Sequence, residues 1–121
     1  MQKKMRPGWD NVLAVNLAKA DGIFLAAEND GEVIGFFLGE VKHGHFGLEH
    51  SGWIEMFGVH PKVMGQGVGR ALGQAAMDRF RALGVRDVYT AVRWDSGDHL
   101  AFFKSMGFSL SNFINLKIRL E

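Results

Sequence analysis

One stretch of the chain combines residue types and spacing that suit anion binding. Gly65, Gly67 and Gly69 alternate directly after an apolar run and directly before a helical pattern. Glycines let backbone N–H groups approach a ligand closely, and a helix start adds unpaired amides and the positive end of its dipole. The amides from Gly65 to Arg70 are therefore predicted to hold a phosphate group.

Two common phosphate-binding motifs do not fit this stretch. A P-loop ends in Gly-Lys-Ser or Gly-Lys-Thr, whereas Gly69 is followed by Arg70 and Ala71. A dinucleotide fingerprint reads Gly-x-Gly-x-x-Gly, and counting from Gly65 or from Gly67 puts another residue type in the last position. A tight strand-to-helix turn without a ligand stays open as the alternative.

Two further side chains could move protons. Glu55 lies in an apolar run, two residues before Phe57 and four before Val59, so a strand would place all three on one face. There it could act as a base that accepts a proton from an amine, or it could simply pair with an arginine. His99 is a spare candidate for proton transfer, with a surface or core histidine as the alternative.

Histidines at positions 43, 45 and 50 fall in a connection rich in histidine and glycine, residues 42–52. His43 and His45 could ligate a metal if a strand presented both on one face. Glycines separate them, so we expect a mobile polar loop and no metal site.

These candidates need elements to position them, and the hydrophobic pattern predicts such elements. The predicted strands span residues 23–28, 32–41, 53–59, 85–92 and 114–120, and the predicted helices span residues 9–19, 67–83 and about 96–106. The sequence Asn29-Asp30-Gly31 predicts a tight hairpin turn between the first two strands. The order of elements predicts one α/β (α+β) domain over residues 1–121, a mixed sheet with helices on both faces.

Composition excludes several classes of function. The 121 residues include 47% hydrophobic and 22% charged residues, which is typical of a globular domain, and a net charge of +1 gives no reason to expect nucleic acid or membrane as a partner. The absence of cysteine excludes disulfides, a thiol nucleophile and a cysteine-ligated metal. No apolar segment follows the basic residues Lys3, Lys4 and Arg6, so no signal peptide is predicted and we expect a cytoplasmic location.

Two motifs resemble those of the GCN5-related N-acetyltransferase (GNAT) superfamily. Val59-His60-Pro61 and Met64 to Gly69 are similar to its pyrophosphate loop, Gln/Arg-x-x-Gly-x-Gly/Ala after a strand that ends in Val-x-Pro. Leu100 to Phe108 resembles its second signature, an Asn-initiated helix that ends in Tyr-x-x-x-Gly-Phe. With their strands, the motifs cover roughly residues 23–110. The family usually has another strand and helix before Trp9, so the resemblance implies a chain shortened at its N-terminus.

The resemblance implies a mostly antiparallel sheet in which the strands at 53–59 and 85–92 splay apart around the pantetheine arm of acetyl-CoA or another acyl-CoA. The residues expected to bind this co-substrate are Phe57, Gly58, Val59, Met64, Gly65, Gln66, Gly67, Val68, Gly69, Arg70, Ser96 and Phe103. Three of them depart from the family pattern. Met64 replaces Gln or Arg, Ser96 replaces the leading Asn, and Phe103 replaces the tyrosine that is the family's common general acid.

The activity that the resemblance implies is acyl-CoA-dependent N-acyltransfer, with acetyl moved to a primary amine by direct attack in a ternary complex. The acceptor would be a small-molecule or peptide amine. A non-catalytic acyl-CoA-binding or regulatory module is the alternative, because Met64 and Phe103 remove polar groups from the motifs. An interaction domain that binds no cofactor is a third reading. We also expect a homodimer, since the amphipathic strand at 114–120 could pair between subunits.

Overall fold

The computed structural model describes residues 11–14 and 21–121. Five strands form one sheet in the order in which they occur along the chain. They are β1 (Asn11–Ala14), β2 (Gly22–Asn29), β3 (Glu32–Lys42), β4 (Ser51–Val59) and β5 (Val88–Tyr89); α1 (Val68–Ala82) follows β4, and α2 (Gly97–Ser105) follows β5. The strands β1 to β4 pair antiparallel, and β5 runs parallel to β4. The mixed, mostly antiparallel sheet is confirmed.

A two-residue turn joins β2 to β3. Asp30 and Gly31 have φ angles of 52° and 79°, as a type I′ hairpin turn requires. This turn was predicted from Asn29-Asp30-Gly31, and it places β3 between β2 and β4.

The core forms where α1 covers one face of the sheet, here called the helix face. Apolar side chains of α1 recur every three or four residues and meet the inward residues of β2 and β3. The buried core consists of Ile23, Leu25, Ala27, Ile34, Phe37, Val41, Val68, Leu72, Ala76, Phe80 and Val85. Burying one such large side chain contributes about 1.5–3 kcal/mol. Among the residues described, no helix is long and apolar enough to cross a membrane.

The helix predicted over residues 9–19 is wrong at Asn11–Ala14, which form β1. These residues pair with the edge of β2, from Asn11↔Glu28 at one end to Ala14↔Leu25 at the other. The edge of β2 therefore supplies their backbone hydrogen-bond partners. A short apolar run is compatible with a helix or with a strand, and here pairing with the neighbouring strand β2 decides in favour of a strand. Residues 9, 10 and 15–19 lie outside the described part of the chain.

Two predicted strands are shorter or missing. The strand predicted over 85–92 is reduced to Val88–Tyr89, because the chain diverges from β4 after Tyr89. The strand predicted over 114–120 is wrong: these residues carry no strand assignment, and their apolar side chains are 81–84% exposed. Alternation along a segment indicates which side would be buried, but a strand forms only when a neighbour accepts its hydrogen bonds.

Candidate active site

The glycine stretch links β4 to α1 and turns sharply at two residues. A 3-10 turn at Pro61–Val63 follows β4, and Gly65 and Gly67 then adopt φ angles of 83° and 85°. Gly67 is the N-cap of α1, and the first intrahelical bond runs from the Ala71 N–H to the Gly67 carbonyl at 3.0 Å. The four amides before Ala71 therefore have no intrahelical acceptor.

No side chain in the described part of the chain neutralises the positive end of the α1 dipole. No side chain caps α1, and its first turn contains no acidic residue. Nothing lies within 4 Å of a Cβ built on Gly65, so the loop is open on that side. The side-chain oxygen of Gln66, Oε1, is buried without a hydrogen-bond partner. Free amides, the helix dipole and an open approach together fit an anionic group.

Arg70 reaches away from the loop. Its guanidinium donates a hydrogen bond of 3.0 Å to Ser105 Oγ, and that hydroxyl donates to the Phe102 carbonyl at 2.6 Å. The side chain therefore ties α1 to α2, which leaves the backbone amide of Arg70 as its contribution to the loop.

The strands β4 and β5 separate several residues before β4 reaches this loop. They pair only through Gly52↔Val88 and Trp53↔Tyr89, whereas β4 continues to Val59. From Ile54 onward, this edge of β4 has no strand partner among the residues described, and we call it the free edge of β4. Backbone donors and acceptors along such an edge can pair with an extended ligand. The predicted residues Phe57, Gly58 and Val59 all lie on it.

Helix α2 brings the second motif to the free edge. The Phe103 ring lies 6.1 Å from the Phe57 ring and 5.1 Å from the Phe108 ring, both in edge contacts. Phe102 contacts Phe57 at 5.6 Å and lies 3.4 Å from a Cβ built on Gly69. The two sequence motifs, which are separated by about thirty residues, thus meet around the end of β4. Met64 lies outside this contact and is 64% exposed.

The expected shared face of Glu55, Phe57 and Val59 is wrong, because β4 contains a bulge. Leu38 pairs with Met56 and Gly39 with Ile54, so Glu55 is an extra residue without an opposite partner. Its carboxylate lies 3.5 Å from Lys42 Nζ, and the same ammonium lies 5.9 Å from the Trp53 ring centroid. Glu55 therefore shares the sheet face of Trp53, opposite the helix face. Its side chain is 41% exposed, so water and a ligand can reach it.

The loop before α2 is polar. Ser96 is the N-cap residue of α2, but its hydroxyl forms a 2.8 Å hydrogen bond with His99 Nδ1 rather than with a backbone amide. Arg93 holds Asp95 through two hydrogen bonds of 3.0 and 2.9 Å. This pairing lowers the pKa of Asp95 and raises the pKa of Arg93. His99 is exposed, so the Ser96–His99 pair faces solvent.

The histidines of the connection are drawn into other contacts. His43 stacks on His50 with 4.9 Å between ring centroids, and its Nε2 lies 3.3 Å from Asp21. In residues 11–14 and 21–121, no three His, Cys, Asp or Glu side chains are grouped to hold a metal ion.

An aromatic cluster beside the free edge was not predicted. We define it as His45, Phe46, Trp53, Tyr89 and Phe113. The Trp53 and Tyr89 rings stack with their centroids 4.8 Å apart. The Phe113 ring lies 5.1 Å from the Phe46 ring and 5.7 Å from the Tyr89 ring. The pairing of β4 with β5 brings Trp53 next to Tyr89, although the two residues are 36 positions apart in the sequence. The sequence signal that could have found the centre of the cluster is one aromatic residue in each of the two strands expected to splay apart, Trp53 in 53–59 and Tyr89 in 85–92.

A family model described as "Acetyltransferase (GNAT) family" matches residues 3–108. The chain belongs to this family. Similar proteins include a mycothiol acetyltransferase from Amycolatopsis mediterranei (strain U-32), which is 39% identical over 92 residues that make up 74% of this chain and 30% of that protein. An aminoglycoside N(6')-acetyltransferase type 1 from Stenotrophomonas maltophilia is 36% identical over 79% of this chain and 65% of its own length. The chain thus spans less than a third of the length of that mycothiol acetyltransferase.

Solved structures share the GNAT fold of this chain. An aminoglycoside acetyltransferase from an uncultured soil metagenomic sample, in complex with trehalose, has a TM-score of 0.75 at 16% identity and covers 87% of this chain and 70% of that one. Aminoglycoside N-acetyltransferase AAC(6')-Iy in complex with CoA has a TM-score of 0.75 at 18% identity and covers 85% of this chain and 70% of that one. At these identities the likeness shows the fold alone.

Proposed function

We propose that this chain is an acyl-CoA-dependent N-acetyltransferase that moves acetyl from acetyl-CoA to a primary amine. One observation carries the proposal: β4 parts from β5 after Trp53 and Tyr89, and the free edge that this leaves runs to Val59, which lies next to the uncapped start of α1. A free strand edge and an anion site lie side by side, and this matches a co-substrate with an amide-containing arm and a diphosphate.

The diphosphate would lie on the backbone amides of the loop. The amides of Gly65, Gly67, Val68, Gly69 and Arg70 are the donors in this proposal. The Gln66 amide donates to the Val63 carbonyl at 3.2 Å, so Gln66 lies in the loop without offering its amide. The exposed side chain of Met64 supplies no charge, so binding depends on the main chain and the dipole. The amide-bearing pantetheine arm would pair along Phe57, Gly58 and Val59 and end beside Phe103, and Ser96 would contact it from the loop before α2.

The reaction needs one bond formed and one broken. The amine nitrogen attacks the thioester carbonyl carbon, a C–N bond forms, the C–S bond breaks, and CoA leaves as a thiolate. A backbone N–H on the free edge of β4 would stabilise the negative charge that develops on the carbonyl oxygen. Glu55 is the proposed base that accepts the amine proton, directly or through water, and His99 is the second candidate.

Phe103 has no proton to donate to the leaving sulfur. A thiol has a pKa of about 8.5, so its thiolate is a tolerable leaving group that water can protonate. General acid catalysis typically contributes about 10²–10⁴-fold, and its loss slows the reaction without abolishing it. The rival function, an acyl-CoA-binding module without turnover, is favoured by this same residue. Thiol release from acetyl-CoA in the presence of amines separates the two.

The relatives support a small molecule as the acceptor, because the mycothiol and aminoglycoside acetyltransferases are named for small molecules. Dependence on acetyl-CoA is also consistent with a cytoplasmic location, which we keep as part of the proposal.

Thermal stabilisation by CoA tests the binding step. A ligand at 100 times its Kd adds about 2.7 kcal/mol to the free energy of unfolding, so the Tm should rise by several degrees. Gly67→Val should abolish this rise, because valine crowds the amides and resists a φ of 85°. Gly84→Val is the matched control: Gly84 has a φ of 83° just beyond the other end of α1. It should lower the Tm of the free protein similarly and still respond to CoA. An unmoved Tm in wild-type protein at saturating CoA would refute the proposal.

A further inference from the structure

The aromatic cluster contains one residue in a costly conformation. Phe46 has φ 54° and ψ 31°, the left-handed region that bulky side chains rarely adopt. The residue is 63% exposed, so burial in the core does not compensate for the conformation. Strain of this kind costs about 1–3 kcal/mol and is typically retained where it serves a site. The conformation holds the Phe46 ring 5.6 Å from Trp53 and 5.1 Å from Phe113.

The cluster lies where the acceptor has to bind. Trp53 and Tyr89 form the last pair before β4 and β5 part. Glu55 follows two residues later on the same sheet face and carries the carboxylate proposed as the base. Two residues along a strand span about 6–7 Å. An acceptor whose amine lies at Glu55 would therefore place its other end among these rings if two or three carbons linked that end to the amine.

The chemistry of the cluster favours an uncharged ring. The Trp53 indole N–H donates to Ser51 Oγ at 2.7 Å, so its polar group is already satisfied. Lys42 occupies the cation position over the Trp53 ring at 5.9 Å. What the cluster offers a ligand is the exposed ring of Phe46 and the edges beside it, and aromatic rings pack there at centroid distances of about 4.5–7 Å.

We infer that the aromatic cluster binds the acceptor, and that the acceptor is a primary amine joined to an aromatic ring by a short link. The inference rests on the proposed transferase function, whose acceptor it specifies. Phe46 and Trp53 contact the ring, and Glu55 lies at the amine.

A panel of three amines tests this with wild-type protein and saturating acetyl-CoA, with thiol release as the readout. The probes are 2-phenylethylamine, octylamine, which has the same number of carbons, and glucosamine. Each aromatic contact contributes about 0.5–1.5 kcal/mol, so we expect kcat/KM for 2-phenylethylamine to exceed the other two by about tenfold. An equal or higher value for glucosamine or octylamine overturns the inference.

The variant Phe46→Gly separates ligand recognition from structural packing. Glycine adopts φ 54° without strain, so the Tm should stay the same or rise, while KM for 2-phenylethylamine should increase about tenfold. If the ring served only to pack the loop, the Tm would fall and KM would not change. Leu110→Ala removes another exposed apolar side chain, 99% accessible and outside the cluster, and should change neither value.

Binding measurements keep this inference distinct from the proposed function. If CoA raises the Tm but no amine is acetylated, 2-phenylethylamine should still raise the Tm further, and Phe46→Gly should lose that increment. Absence of the increment in wild-type protein overturns the inference and leaves the CoA site intact. If CoA itself does not bind, the transferase proposal fails, and the increment from 2-phenylethylamine alone still decides whether the cluster is a site for aromatic amines.

Discussion

Phe103 is the residue at which a single hydroxyl should change the chemistry. Its ring is partly buried between Phe57 and Phe108, at the place where the proposed pantetheine arm ends. We predict that Phe103→Tyr raises kcat for acetyl transfer about tenfold, a modest share of the 10²–10⁴-fold typical of general acids, because the surrounding rings are not built to orient the new hydroxyl. KM for acetyl-CoA should stay nearly constant.

Phe108→Tyr is the control for this prediction, since it adds the same hydroxyl one ring farther from Phe57 and should leave kcat unchanged. Equal rates in wild-type protein and Phe103→Tyr would show that position 103 does not reach the leaving sulfur.

The residue scale also shows where sequence reasoning ends. The turn at Gly67 before α1 and the start of α2 near residue 96 could be read from residue type and spacing, because the local backbone decides them. The side on which Glu55 lies could not, because one extra residue in β4 reverses the alternation there. The left-handed conformation of Phe46 could not be predicted either, because phenylalanine rarely adopts it and no sequence pattern indicates it.

At the scale of elements, α1 and α2 meet through a small-residue surface. A Cβ built on Gly73 would lie 2.6 Å from the terminal methyl carbon of Met106, and one on Gly69 would lie 3.4 Å from the Phe102 ring. We predict that Gly73→Val lowers the free energy of unfolding by about 1 kcal/mol, the low end of the range for overpacking, because the flexible end of Met106 can shift. It should also weaken CoA binding, since α2 carries Phe103 to the free edge of β4. Thermal melts with and without CoA measure both effects.

The double variant Gly73→Val with Met106→Ala supplies the space that the single variant lacks. It should recover part of the lost stability. A double-mutant cycle should show a coupling free energy of about 0.5–3 kcal/mol between positions 73 and 106. Strictly additive losses would mean that the two helices do not pack at this contact.

The predictability of the elements follows how local their causes are. The hairpin of β2 and β3 and the long helix α1 were predicted with boundaries within a residue or two, because turn glycines and a 3.6-residue period specify them. The strand β1 was predicted as a helix, and β5 was predicted too long, because pairing with a distant neighbour defines both. The separation of β4 from β5 was expected from the family resemblance and not from periodicity, since no local pattern encodes where two strands part.

For the molecule as a whole, the described residues end in a segment that nothing in the sheet accepts. Ile114, Leu116, Ile118 and Leu120 alternate with polar residues and are 81–84% exposed. Four large apolar side chains in water cost about 1.5–3 kcal/mol each relative to burial, and an amphipathic segment can satisfy its backbone and its apolar side by pairing with another copy. We therefore propose that residues 114–120 pair between two copies of this chain.

Sedimentation velocity over a range of concentrations tests this proposal. Wild-type protein should show a dimer whose fraction grows with concentration. Leu116→Asp with Ile118→Lys should give a monomer, because both changes place charge in the paired surface while the net charge stays the same. Val33→Asp, at an apolar residue 54% exposed on β3, is the control and should remain dimeric. The Tm of the monomeric variant should become independent of concentration, since dissociation no longer couples to unfolding. A wild-type protein that stays monomeric at all concentrations would show that a second copy is not what covers this segment.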